Sequence, residues 1–215
     1  MTMTAILKTL STLVAIALVA GCASKVDAPT QYDLGLLPAT ATATATGTGT
    51  GTAVSTASAL PAISLADVNA PAWLDNNMMY FRLAYANQQQ PRPYANSRWT
   101  MPPAQLFQQR LKTRVAQAGG TVLAMSDAAL NIPVLRIDLD DYTQTFDTPS
   151  HSLATLQIRA SLFNGRVLLA QKSFSRQVAT PSADAAGAAS AFVAANDGVI
   201  GDLMNWLATV APKKQ

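Results

Sequence analysis

The clearest pattern in the chain is a strict alternation: Ala154, Leu156, Ile158, Ala160 and Leu162 are apolar, while Thr155, Gln157, Arg159 and Ser161 between them are polar. Successive side chains of a strand point to opposite faces, so this run reads as a half-buried antiparallel strand. Asn164-Gly165 follows it, a dipeptide suited to a tight hairpin turn, and Val167 to Val178 reads as the returning partner. Upstream, Leu135, Ile137 and Leu139 share one face, and Tyr142 and Phe146 rejoin it only if Asp140-Asp141 makes a bulge. One extra residue there resets the alternation and bends the strand. Shorter runs predict strands at Tyr32 to Leu37 (stopped by Pro38), Ala62 to Val68, Met79 to Tyr85 and Thr121 to Met125. Asn87 to Pro91 reads as a polar turn.

Two stretches follow the helical period instead. Pro102-Pro103 opens one, where proline is tolerated. Phe107, Leu111, Val115 and Ala118 then recur on one side, and Gly119-Gly120 ends it. Ala183 to Val210 is a long alanine-rich helix with Phe192, Val199, Leu203, Trp206 or Leu207, and Val210 in a stripe that should cross the sheet. Gly198 and Gly201 weaken it and mark either a kink or a close approach to the sheet. The expected fold class is therefore α+β: one domain over about 31–210, a mainly antiparallel sheet packed by two helices (about 102–118 and 183–210), and a short tail at 211–215. Within it, 40–58 is almost pure Ala-Thr and Gly-Thr, with no large side chain to offset the entropy of ordering, and is expected to be a disordered insertion.

Composition narrows the partners. Charged residues make up 13% of the 215 and the net charge is +3, so no basic stripe suited to nucleic acid is present. Residues 1–21 read as a secretory leader: Lys8 near the start, the apolar run Leu13 to Ala20, then the small residues Ala20-Gly21. The run is too short for the ~20 apolar residues a spanning helix needs. Cys22, directly after it, is the only cysteine of the chain and has no intramolecular partner for a disulfide. Ala20-Gly21-Cys22 resembles the bacterial lipobox, which implies a diacylglyceryl group on the Cys22 thiol, cleavage before it, and acylation of the new amine. At ~0.8 kcal/mol per buried CH₂, two or more chains hold a protein on a bilayer almost permanently. Ala23-Ser24-Lys25 lacks the aspartate that marks inner-membrane retention in such lipoproteins, so the expected address is the periplasmic face of the outer membrane of a Gram-negative bacterium. The tether from Ala23 to Thr30 spans at most ~26 Å.

The search for chemistry yields little. His151 has Asp147 and Ser152 near it in sequence, but adjacency in a turn does not make a triad, and no G-x-S-x-G elbow accompanies it. Asp138, Asp140 and Asp141 suggest a cation site or, by strand alternation, a solvated edge pairing with Arg136 or Arg159. With Cys22 acylated, thiol and zinc chemistry have no ligand set, so no catalytic residue, metal or dissociable cofactor is expected. Trp73, Leu74, Met78, Met79, Tyr94 and Trp99 cluster around two loops. Either they pack inward, as aromatics mostly do, or some form a docking patch for a partner or acyl chain, with Arg98 contacting an acidic surface.

Several local runs resemble the ABC-type transport auxiliary lipoprotein family: Tyr32-Asp33-Leu34 after the cysteine, Asn69-Ala70-Pro71-Ala72-Trp73-Leu74-Asp75, Tyr94-Ala95-Asn96-Ser97-Arg98-Trp99 before a proline-started helix, and the closing Trp206-Leu207. The 40–58 insertion departs from that pattern, as does Asn76-Asn77 where an arginine is expected. The resemblance implies a non-enzymatic outer-membrane lipoprotein. Its partner would be an MCE-domain periplasmic protein of an ABC transporter that moves phospholipids or other hydrophobic molecules between membranes. The alternatives are a lipid-anchored structural or assembly factor of another envelope complex and, more remotely, a hydrolase built on His151.

Overall fold

Three long strands dominate the computed structural model, which describes residues 28–37, 62–127 and 130–210. They are β6 (Val134–Thr148), β7 (His151–Asn164) and β8 (Val167–Ala179), paired antiparallel in sequence order. The alternation in β7 is borne out: Ala154, Leu156, Ile158, Ala160 and Leu162 are all fully buried. So is the bulge in β6, where Leu139 faces Ile158 and Asp141 faces Gln157, leaving Asp140 as the extra residue. Tyr142 and Phe146 thereby return to the buried face. The hairpin is present too, but its loop is Gly165-Arg166, with Asn164 and Val167 as the last pair. Gly165 holds φ +58°, the positive value that the first loop residue of a type II′ turn requires.

The remaining strands are β1 (Thr30–Tyr32), β2 (Ile63–Leu65), β3 (Met78–Leu83), β4 (Asn87–Trp99) and β5 (Val122–Ala124). β3 and β2 each lie parallel to part of β6, β4 pairs antiparallel with β3, β1 is parallel to β4, and β5 is parallel to β2. The eight strands form one mixed sheet in which the longest ladders are antiparallel. Two helices pack on it, α1 (Pro103–Gln117) and α2 (Ala185–Val210).

Two sequence expectations are corrected. Asn87 to Pro91 is the start of β4, because the reversal already occurs at residues 84–86, where Ala86 donates its N–H to Leu83. Pro91 and Pro93 are tolerated because the flank of β4 away from β3 is paired by β1 only at Ser97–Trp99. The first strand ends at Tyr32, since Asp33 Oδ1 accepts the Gly35 N–H at 2.8 Å and Gly35 takes φ +62°, breaking the extended run. The leader, Cys22, the 40–58 insertion and the 211–215 tail lie outside the described residues.

The core lies between the sheet and the helices. Tyr142 and Phe192 stack with ring centroids 4.0 Å apart, and Trp99 meets both edge-on at 5.5 and 5.6 Å. In α2 the stripe resolves to Phe192, Val199, Leu203 and Leu207 as buried, with Trp206 and Val210 partly buried. Gly198 is the close approach: a Cβ there would lie 2.9 Å from the Arg176 side chain, whereas nothing crowds Gly201. Tighter still is Gly187 in the first turn of α2, where a Cβ would sit 2.1 Å from the Ser182 carbonyl oxygen. That obstacle is backbone and cannot swing aside. Gly187→Ala is therefore expected to destabilise the fold by about 1–3 kcal/mol, read as a lower urea midpoint at unchanged m-value. Gly198→Ala, facing the end of a flexible side chain, should lose less.

Candidate functional site

Alternation along β3 divides the residues singled out in the sequence. Met79, 2% exposed, points to the core, and Phe81 on the same face is half-buried, 4.8 Å from the Tyr94 ring and 5.8 Å from Phe146. Met78, Tyr80 and Arg82 point to the opposite face. Trp73 packs edge-on against Tyr80 with centroids 5.4 Å apart, and the Arg82 guanidinium sits 5.3 Å over the Trp73 ring. Met78 is 39% exposed, and its register partner on β4 is Arg98, which donates to the carbonyls of Tyr94 and Ser97. The structure thus assembles a mixed apolar and cationic patch from Trp73, Met78, Tyr80, Arg82 and Arg98. The loop beneath it is fixed by Asn76, whose amide donates to the Trp73 carbonyl at 2.8 Å while its Oδ1 accepts the Met78 N–H at 2.8 Å.

The other candidates turn inward. Leu74 and Trp99 are 0% and 1% exposed and belong to the core, so neither can contact a partner directly. Their position follows from β4 ending under α2 and from the turn at Pro71, whose carbonyl accepts the Leu74 N–H. Tyr94 is half-buried and donates its hydroxyl to Gln144 Oε1 at 2.6 Å. Burial, and secondarily the charge of Asp184, pushes that phenol up to about 12. Gln144 donates on to Ser152 Oγ at 2.8 Å, and Ser152 shares a 2.6 Å hydrogen bond with Thr180. This polar chain ties β4, β6 and β7 to the segment leading into α2.

That placement also decides the fate of the histidine. His151 Nδ1 lies 2.7 Å from Asp147, both half-exposed, and this bond holds the Asp147 carboxyl below the ordinary value. Ser152, the next residue in β7, points to the other face and is buried, so the three groups do not converge. Asp138 and Asp140 flank Arg159 at 3.5 and 3.6 Å, the pairing expected for a solvated strand face. Burial raises the Asp141 carboxyl above its ordinary value, against the Thr143 hydroxyl at 2.9 Å and the charge of Arg82.

Pattern reading missed Tyr80 and Arg82, which share the alternation of Met78, and it missed an ionic cluster at the junction of the helices. Arg110, 5% exposed, grips Asp197 of α2 through Nε at 2.7 Å and a second nitrogen at 2.8 Å. It also donates to the carbonyls of Leu34 at 2.7 Å and Gly35 at 3.2 Å, so one side chain fastens the segment after β1 to both helices. Arg114 completes the cluster with Asp197 at 2.6 Å. A cleft of about 650 Å³ opens beside it, lined by residues 33–37, Met101, Leu106, Gln109 and Thr113. The available signal was a charge at position 110, inside the apolar stripe of α1.

Burial of Asp197 disfavours its charge, but the hydrogen bonds from Arg110 and Arg114 outweigh this and leave its carboxyl below the ordinary range. Asp184, which accepts the Gly187 N–H at 2.7 Å at the start of α2, is lowered chiefly by that bond. Each contributes stability that is present above the unfolded value of about 3.9 and lost as pH falls through the lower folded value. Asp141 acts in the opposite sense. Urea unfolding is expected to show a stability that falls steeply only below about pH 4, with a shallower acid slope in Asp197→Asn.

The comparisons with known proteins agree with this architecture. No curated protein sequence matches the chain. Among solved structures, a protein from Xanthomonas campestris superposes with a TM-score of 0.62 at 20% identity, covering 70% of this chain and 87% of that one. An uncharacterised protein superposes at 0.59 and 10% identity, covering 84% and 99%. These likenesses show a shared fold. The model of the ABC-type transport auxiliary lipoprotein component matches residues 44–203, well over half of the sequence, and the chain belongs to that family.

Proposed function

We propose that the protein is acylated at Cys22, sits on the periplasmic face of the outer membrane, and serves as the docking partner of an MCE-domain protein. That partner would belong to an ABC transporter of phospholipids or similar hydrophobic molecules, and the contribution of this chain is non-enzymatic. The observation that carries the reading is the family match across residues 44–203, which makes the chain an auxiliary lipoprotein component of ABC-type transport. The Ala20-Gly21-Cys22 motif and the absence of an aspartate at 23–25 support the anchor and its address. The Trp73, Met78, Tyr80, Arg82 and Arg98 patch supports a contact with an apolar, acidic surface, because exposed methionine adapts to its partner and paired aromatic and arginine side chains are typical anchors.

Trp73→Ala tests the contact at a partly buried side chain that packs against the core from outside it. It is expected to weaken binding of the detergent-extracted protein to its MCE-domain partner about tenfold while the melting temperature shifts by only a few degrees. Unchanged affinity would remove Trp73 from the interface. Mass spectrometry of the protein purified from membranes checks the anchor: a chain starting at acylated Cys22 is expected, and an intact leader or a free thiol would refute it.

A further inference from the structure

The tip of the β7–β8 hairpin carries three consecutive large apolar side chains in water: Val167, Leu168 and Leu169 are 64%, 49% and 39% exposed. Regular alternation would turn one of each neighbouring pair inward. Here Phe163 pairs with Leu168 while Leu162 pairs with Ala170, so Leu169 is an inserted bulge residue, and such bulges re-aim side chains. Nothing from α2 covers them. Trp206 meets Phe174, and α2 ends four residues later, about 6 Å further on, whereas Val167 lies seven strand residues, about 23 Å, beyond Phe174. The tip is also cationic: Arg166 is in the turn, Arg136 lies 5.0 Å over the Phe163 ring, and residues 161–179 hold no Asp or Glu.

An apolar tip with arginines suits either a bilayer or a protein, and the topology separates the two. β1 runs parallel to β4, β4 antiparallel to β3, and β3 parallel to β6, so β1 runs toward the tip and the chain before Thr30 enters from the opposite end of the sheet. Thr30 lies level with about Tyr142 of β6, seven paired positions, or about 23 Å, from Val134 beside the tip. Thr30 is only eight residue steps from Cys22, a reach of at most ~26 Å. Bringing the tip to the anchoring bilayer would use almost all of that reach in the backward direction.

We propose that the Gly165–Leu169 tip is a docking element for the periplasmic MCE-domain partner, held away from the anchoring membrane and received by an apolar surface rimmed with carboxylates. This rests on the reading that Cys22 is acylated and that such a partner exists. Because Cys22 is the only native cysteine and its thiol is blocked by lipid, Leu168→Cys provides a unique labelling site in the full acylated protein.

With that variant carrying a polarity-sensitive dye in phosphatidylethanolamine/phosphatidylglycerol vesicles, the dye is expected to report water. It should shift to an apolar environment only when the MCE-domain protein is added. In parallel, V167S/L168S/L169S should keep its melting temperature within a few degrees and reduce co-sedimentation of the MCE-domain protein about tenfold or more. A dye buried in vesicles without partner would overturn the proposal in favour of membrane insertion. Wild-type binding that neither moves the dye nor responds to the triple change would overturn it while leaving the transport role intact. An MCE-domain protein that fails to bind the wild-type chain at all would remove the transport reading and this inference together.

Discussion

Asp197→Ala is expected to remove about 2–4 kcal/mol of folding stability, below the top of the range for deleting one partner of a buried ion pair, because Arg110 is buried while Asp197 itself keeps a quarter of its side chain in water. The size comes from what remains. Arg110, 5% exposed, would keep its charge and its two carbonyl contacts but lose both bonds to the carboxylate, and Arg114 would lose its partner at 2.6 Å. Two guanidinium groups one turn apart on α1 would then point into the helix junction with no anion between them. Their repulsion adds to the unsatisfied hydrogen-bonding capacity. Urea unfolding followed by tryptophan fluorescence measures the loss. The paired replacement Arg110→Met with Asp197→Leu should recover much of it, since a well-packed apolar pair of similar volume is often as stable as the ion pair it replaces. If the double variant is no better than Asp197→Ala, the cost lies in the freed carbonyls of Leu34 and Gly35, and residues 33–37 become the element to examine.

The same cluster explains a limit of reading sequence by period. The long elements were legible because burial on one face writes a period of two or 3.6 into the side chains. Thus β7 and the stripe of α2 fall where alternation and helical spacing put them, and the reset at Asp140 was visible as a phase slip between Leu139 and Tyr142. The start of β4 was not legible, because Asn87 to Pro93 sits at an exposed margin where no face is buried and turn-forming residues are tolerated. Contacts between elements distant in sequence leave no period at all. Arg110 and Asp197 are 87 residues apart, and Tyr94 and Gln144 are 50 apart, so neither pair could be matched before the fold brought them together. The candidate patch was half legible: residue types located Trp73, Met78 and Arg98, while strand phase in the structure added Tyr80 and Arg82 and withdrew Leu74, Tyr94 and Trp99.

The withdrawal of Trp99 carries the second large prediction, and it reverses what a loss of function there would mean. Trp99→Ala is expected to cost about 3–5 kcal/mol, the usual toll of truncating a fully buried aromatic side chain. Trp99 is 1% exposed and meets Tyr142 and Phe192 edge-on, so its removal leaves a void against a stacked pair that has no other aromatic neighbour at ring contact among the described residues. Trp99→Phe should lose distinctly less, because one ring still reaches the pair. The backbone at this position closes two further connections: the Trp99 N–H donates to the Asn77 carbonyl at 2.7 Å, and Tyr32 of β1 is its register partner. Loosening this corner therefore loosens the strand through which any tether from Cys22 enters the domain. Transport lost in Trp99→Ala, together with a fall in the urea midpoint, would report unfolding rather than a missing contact. The same loss in Trp73→Ala with the midpoint unchanged would report docking. If Trp99→Ala instead unfolds at the wild-type midpoint, the Trp99, Tyr142 and Phe192 cluster is not the centre of the core.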